Sequence, residues 1–155
     1  MCGITGYYSP SKKINEADLH RIPDCISHRG PDAAGYFFDE AKTIGLGHRR
    51  LSIIDLSEAD NQPFYSHSGR YVTVFNGECY NFQEIAKQLN ITQRTSSDTE
   101  IIIEAFEKKG VDFVHLLNGM FAIAIYDKQE HKLYLFRDRL GVKPLYYYHK
   151  DGEFA

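Results

Sequence analysis

A cysteine directly behind the initiator methionine, in MCGITG, can do chemistry that no internal cysteine can copy. The small side chain at position 2 permits removal of Met1, and Cys2 then carries both a thiol and a free α-amine. The thiolate is the nucleophile, and an ordinary cysteine titrates at about 8.5, so it needs a base. An α-amine titrates at about 7.7–8.0, against about 10.4 for a lysine side chain. Moving the proton from sulfur to this nitrogen costs on the order of 1 kcal/mol, the near-match that general-base catalysis favours. N-terminal nucleophiles use this logic. With Met1 attached the nitrogen is an amide without basicity, and MC alone also describes an inert buried cysteine.

Other stretches could complete such a site, and each has an ordinary reading beside the chemical one. FNGECYNF (75–82) contains Asn-Gly between apolar residues, a hairpin-turn signal. The same Asn side-chain amide and Gly backbone N–H could instead converge as the two donors of an oxyanion hole. GHRRLSIID (47–55) ends an extended segment with Arg49 and Arg50, a solvated basic pair or a guanidinium fork for a carboxylate. SSDTE (96–100) sets Asp98 before a helix, either as its N-cap or as the counter-charge of an ammonium group. HRGPDAAG (28–35) and RDRLGVKPLYY (137–147), punctuated by Gly and Pro, read as ordered loops.

Metal chemistry finds no support in these spacings. The seven histidines are scattered without an HExxH pattern, and three cysteines at 2, 25 and 79 make neither a CxxC site nor a disulfide framework. Cys25 and Cys79 read as structural. A reducing, cytoplasmic setting follows from that usage. The net charge of −3 gives no nucleic-acid footprint, and no apolar run approaches a membrane span. No signal peptide opens the chain.

The elements that must position these residues can be read from periodicity. Residues 3–8 suggest a strand. Asn15 caps a helix carrying Leu19, Ile22 and Ile26, which Pro23 interrupts. Extended segments fall in 36–39 and 43–55, and a β-branched and aromatic run covers 71–75. Asn81 with Glu84 resembles a capping box, followed by Phe82, Ile85, Ala86 and Leu89 on one helical face. Asp98 opens a second helix that Gly110 closes, and its three consecutive isoleucines require cover on more than one side. Strands return in 119–127, 132–138 and 144–149. Strands, two helices, then strands predict one α+β domain with helices laid on antiparallel sheets. Asp151-Gly152 is a hairpin-turn pair followed by only three residues, which suggests the front part of a longer protein.

In conjunction the motifs are specific. MCGI, HRGPD-x-x-G, GHRRLSIIDLS, QPF, FNGE-x-YN, SSDTE, LNGMFAIAIYD and RDRLGVKPLYY, in this order, resemble the glutaminase domain of asparagine synthetase-type, class II (N-terminal-nucleophile) glutamine amidotransferases. The match runs over essentially the whole chain, and RLSIID points to the asparagine synthetase branch. The resemblance implies a four-layer αββα sandwich of two antiparallel sheets. It makes Cys2 the nucleophile with its own α-amine as base, and Arg50 the residue that binds the glutamine α-carboxylate. Leu51, Ser52, Ile53 and Ile54 line the same pocket. Asn76 and Gly77 match the oxyanion hole; Glu78, by side chain or backbone carbonyl, and Asp98 receive the α-ammonium.

The reaction so implied releases glutamate and ammonia from L-glutamine, with no metal or organic cofactor in this domain. ATP and Mg²⁺ belong to a C-terminal synthetase domain that makes asparagine from aspartate and is absent here, with neither an SGGxDS loop nor a Walker A motif present. Two alternatives stay open. The same glutaminase could serve another acceptor, such as a sugar carboxylate in polysaccharide synthesis, or the domain could be catalytically silent if Met1 is retained. A homodimer is an assembly the sequence leaves open.

Overall fold

The computed structural model describes residues 2–51 and 61–155, which fall into two compact units. In chain order the elements are β1 (Gly3–Tyr8), α1 (Glu16–Asp24), β2 (Ala33–Phe38), β3 (Ile44–Arg50), β4 (Phe64–Tyr65), β5 (Tyr71–Cys79), α2 (Phe82–Gln88), α3 (Asp98–Lys109), β6 (Gly119–Asp127), β7 (Lys132–Arg137), β8 (His149–Lys150) and β9 (Glu153–Phe154). Among the described residues no helix is long and apolar enough to cross a membrane.

The first unit, Met1–Pro63 with Leu145–Ala155, is built on an antiparallel sheet ordered β2-β3-β1-β9-β8. Strand β1 pairs with β3 from Gly3↔Arg49 to Tyr8↔Ile44, and α1 packs on this sheet through Leu19, which is fully buried. Asn15 Oδ1 accepts the Ala17 and Asp18 N–H groups and so caps α1 as expected. Two expectations are corrected here. The helix runs through position 23 and ends at Asp24, so Pro23 does not interrupt it and Ile26 lies beyond it. A proline in the last turn removes one hydrogen bond next to groups that a helix end leaves unpaired anyway.

The expected strand over 144–149 shrinks to His149–Lys150. Tyr146 and Tyr147 are 89% and 72% exposed, and β-propensity without a partner strand or cover does not make a strand. The Asp151-Gly152 hairpin does form. Both residues have positive φ, 53° and 79°, as a type I′ turn requires, and Phe154 of β9 pairs with Tyr8 of β1.

The second unit, Phe64–Pro144, holds the antiparallel sheet β4-β5-β6-β7. Alternation along the central strands sends Tyr71, Phe75 and Cys79 of β5, and Phe121, Ile123 and Ile125 of β6, into one core with α3. Edge-on ring contacts of Phe113 with Phe106 and Phe136, at 5.4 and 5.0 Å, fill its centre. Ile101, Ile102 and Ile103 are all buried, as their run along α3 predicts. Gly110 is the C-cap of α3, with φ 58°.

Two caps differ from the reading of the sequence. Asn81 makes no capping bond, because its amide donates to Leu116 O and its Oδ1 accepts Asn118 N–H, both at 2.9 Å. Ser97, not Asp98, caps α3, accepting Thr99 N–H, and Asp98 is the first helical residue. Each unit thus lays a helix on an antiparallel sheet, the α+β class expected.

Candidate active site

In the first unit the β1·β3 register pairs Gly3 with Arg49. One further step sets Cys2, half-buried just before β1, across from Arg50, the last residue of β3. Residues directly opposite on an antiparallel pair share a face. Cys2 and Arg50 therefore lie at the same end of this sheet. Arg50 is 7% exposed, and its Nη1 donates to Asn61 Oδ1 at 2.9 Å.

The segment 28–32 explains how that end is held. A Cβ on Gly30 would lie 2.5 Å from the Arg49 carbonyl carbon and 2.8 Å from Arg50 N, so only glycine allows the loop to press on β3 there. Asp32 N–H then donates to Arg50 O at 3.1 Å. HRGPD is thus a brace for the Arg50 backbone. Leu51 follows, half-buried, while Ser52, Ile53 and Ile54 lie outside the described residues.

In the second unit Asn76 and Gly77 lie inside β5, paired with Ala122 and Phe121. The hairpin-turn reading of Asn-Gly is thereby overturned. The ladder also shows where the Gly77 N–H points. Phe121 spends both its N–H and its carbonyl on Asp138, on the β7 side. The Gly77–Phe121 pair is therefore the type without mutual hydrogen bonds, and Gly77 N–H turns to the outer edge of β5. Two residues on, Cys79 N–H uses that same edge to donate to Asp98 Oδ2 at 2.8 Å. Strand β4 covers the edge only at Val72 and Thr73.

An outward N–H with a fixed direction and no ladder partner suits a developing oxyanion. Gly77 must be glycine: a Cβ there would lie 2.2 Å from Met120 O. Asn76 is 6% exposed and Glu78 is exposed, and the Cys79 bond brings Asp98 beside them at the end of β5.

The family model for the glutamine amidotransferase domain matches residues 1–155. This chain belongs to that family. The amidotransferase domain is 42% identical to asparagine synthetase (glutamine-hydrolysing) 2 of Bacillus subtilis over 152 residues, 95% of this chain and 20% of that protein. It is 39% identical to amidase chry2 of Gibberella zeae over 160 residues, 95% of this chain and 24% of the amidase. The chain spans about a fifth to a third of the length of the curated relatives it matches. The solved glutamine phosphoribosylpyrophosphate amidotransferase of B. subtilis superposes with a TM-score of 0.78 over 99% of this chain and 41% of its own, at 18% identity. That likeness shows the fold, an α+β architecture of antiparallel sheets carrying helices.

The amidotransferase domain also uses residues that the sequence did not single out. Asn61 holds the Arg50 guanidinium, and a lone polar residue before QPF gives no signal of it. Glu100 is fully buried and folds the turn ahead of Asp98, accepting Arg94 N–H, Thr95 N–H and the Thr95 hydroxyl, with His67 Nε2 at 2.6 Å. Burial pushes its carboxyl up, but these bonds, His67 first, pull it below its ordinary value. Ser97-Asp98-Thr99-Glu100 has the pattern of a capping box, yet the glutamate bonds Thr95 and Arg94 instead.

Cys79 is buried against this edge. Burial, with the Asp98 carboxylate beside it, pushes its thiol up to about 11, which makes it inert. Cys25 is exposed just beyond α1. Among the described residues no cluster of three His, Cys, Asp or Glu side chains could hold a metal ion.

Proposed function

We propose that this domain hydrolyses the side-chain amide of L-glutamine, with Cys2 as nucleophile once Met1 is removed. The Cys2 thiol passes its proton to the α-amine, directly or through one water, and attacks the amide carbon. Asn76 and Gly77 donate to the tetrahedral oxyanion, where loss of one such donor typically costs about 2.7–4 kcal/mol. The α-ammonium protonates the leaving ammonia, and water cleaves the γ-glutamyl thioester. Arg50 takes the α-carboxylate, and Asp98 with Glu78 takes the α-ammonium, so glutamine within a peptide is refused. Leu51, Ser52, Ile53 and Ile54 complete the pocket. The reaction needs no metal or organic cofactor.

The observation that supports the reading is the Gly3↔Arg49 register, one residue from both Cys2 and the buried Arg50. The outward Gly77 N–H beside Asp98 supports it independently. The ammonia serves ATP- and Mg²⁺-dependent asparagine synthesis by a C-terminal synthetase domain in a cytoplasmic enzyme, a reading supported by 42% identity to the B. subtilis synthetase. The fungal amidase at 39% identity favours a second reading, the same glutaminase feeding a different acceptor.

The test is the intact mass before and after incubation with an electrophilic glutamine analogue, with the adduct mapped. Loss of one methionine and a single adduct on Cys2 is the expected result. A chain that has lost Met1 and still takes no adduct overturns the glutaminase assignment. Assaying the full-length protein with aspartate, ATP and glutamine separates the two acceptors.

A further inference from the structure

Strand β7 stops one step short of the position opposite Phe121. The β6·β7 ladder pairs Ala122 with Arg137, and the next pair would be Phe121 with Asp138. Asp138 does send its N–H to Phe121 O at 2.9 Å, but its own carbonyl turns away and accepts Gly141 N–H at 3.0 Å. The N–H of Phe121, a buried residue, thus loses its ladder acceptor, and an unpaired buried donor costs about 1–3 kcal/mol. Asp138 Oδ2 takes its place at 3.2 Å. The same carboxylate accepts Val142 N–H at 2.8 Å and Lys143 N–H at 2.9 Å.

Phe121 is also the residue opposite Gly77, so close that a Cβ on Gly77 would lie 2.8 Å from Phe121 Cα. We propose that Asp138 is a positioning residue for glutamine hydrolysis: by holding Phe121 N–H it fixes β6 against β5 and so aims the Gly77 N–H. This rests on the proposed glutaminase and on the oxyanion role of Gly77. Burial pushes the Asp138 carboxyl up, yet bonds from Lys143, Val142 and Phe121 hold it below its ordinary value, so it remains a full acceptor at neutral pH. Arg137 supplies an internal contrast. Its guanidinium bonds Gly141 O and Lys143 O, bracing the same turn through those carbonyls, whereas the Phe121 N–H is held by Asp138.

The experiment compares glutamine hydrolysis by the wild type, Asp138→Asn and Arg137→Ala at equal folded fraction. Asparagine has only one acceptor oxygen for the three N–H groups that two carboxylate oxygens now serve. Asp138→Asn is expected to lower kcat about 10–100-fold with KM for glutamine nearly constant, the signature of a misplaced transition-state donor. Arg137→Ala is expected to leave kcat near the wild-type value. Equal losses in both variants, or a raised KM at constant kcat in Asp138→Asn, overturn the proposal. Should Asp138→Asn fail to fold, Asp138→Ser, which keeps one oxygen, is read by the same criteria. A ¹⁵N spectrum separates this inference from the glutaminase itself. If the wild type hydrolyses no glutamine, the functional reading falls, while a Gly77 amide resonance unmoved by Asp138→Asn sinks the positioning role on its own.

Discussion

Replacing Glu100 tests how the turn that delivers Asp98 is held. The side chain is fully buried and serves four donors: Arg94 N–H, Thr95 N–H, the Thr95 hydroxyl and His67 Nε2. Glu100→Ala leaves all four without their acceptor, and breaking a buried charged network of this kind costs about 3–5 kcal/mol. That is a large part of the 5–15 kcal/mol or so that a domain has in total. Glu100→Gln should cost far less, about 1–2 kcal/mol, the difference between charged and neutral acceptors. Its amide oxygen can replace Oε2 toward Thr95, and its NH₂ can face His67 Nε2 when the ring proton sits on Nδ1, toward Glu104 Oε2 at 3.5 Å. The pH dependence follows from the lowered Glu100 carboxyl. Below its ordinary value of 4.5 the unfolded chain binds this proton before the folded one, so the contribution is complete above that value and is lost as pH falls through the folded one. Urea unfolding followed by tyrosine fluorescence, in a protein with 11 Tyr and no Trp, measures each quantity. Glu100→Ala within about 1 kcal/mol of wild type, or Glu100→Gln as damaging as Glu100→Ala, would refute this account.

Two further outcomes are expected. Gly77→Ala sets a methyl 2.2 Å from Met120 O and 2.8 Å from Phe121 Cα, backbone atoms that cannot rotate away. It should cost about 1–3 kcal/mol in urea unfolding and, by displacing the donor, about 100-fold in glutaminase kcat; wild-type values of both would show the strands to be slack. Native alkylation at pH 8, read by intact mass, should modify Cys25 and Cys2 but reach Cys79 only in denaturant, because its thiol is buried and pushed up to about 11. Cys79 labelling as fast as Cys25 would contradict that burial.

The residues proposed to do chemistry were legible because they sit in short motifs whose order is itself informative, and because Cys2 needs no partner to be conspicuous. What the sequence left open was settled by contacts distant along the chain. Asn76-Gly77 has the signature of a turn, and only the pairing with Ala122 and Phe121 makes it strand. Asn81 and Glu84 have capping-box spacing, but Leu116 and Asn118, some thirty-five residues away, take the asparagine. Asn61, Glu100 and Asp138 escaped for the same reason. Each acts by accepting from a neighbour that the fold supplies, and no spacing announces such a pair.

The second unit solves one problem three times with one device. Where a strand or turn leaves a backbone N–H without a ladder acceptor, a carboxylate supplies it. Asp98 does so for Cys79, Asp138 for Phe121 and Glu100 for Thr95. A carboxylate fits this task better than an amide because both its oxygens accept, and charge-assisted bonds are about twice as strong as neutral ones. It also draws on the surrounding positive ends of N–H dipoles without adding a donor that must itself be satisfied. The cost is acid sensitivity. Protonation removes acceptor capacity at Glu100, just two residues from Asp98 in the chain, and at Asp138, on the β7 side of the residue paired with Gly77. Loss of glutaminase turnover at acid pH therefore has a structural source separate from the Cys2 thiol–amine pair, and Glu100→Gln, which has no proton to take up there, should shed its share of that loss.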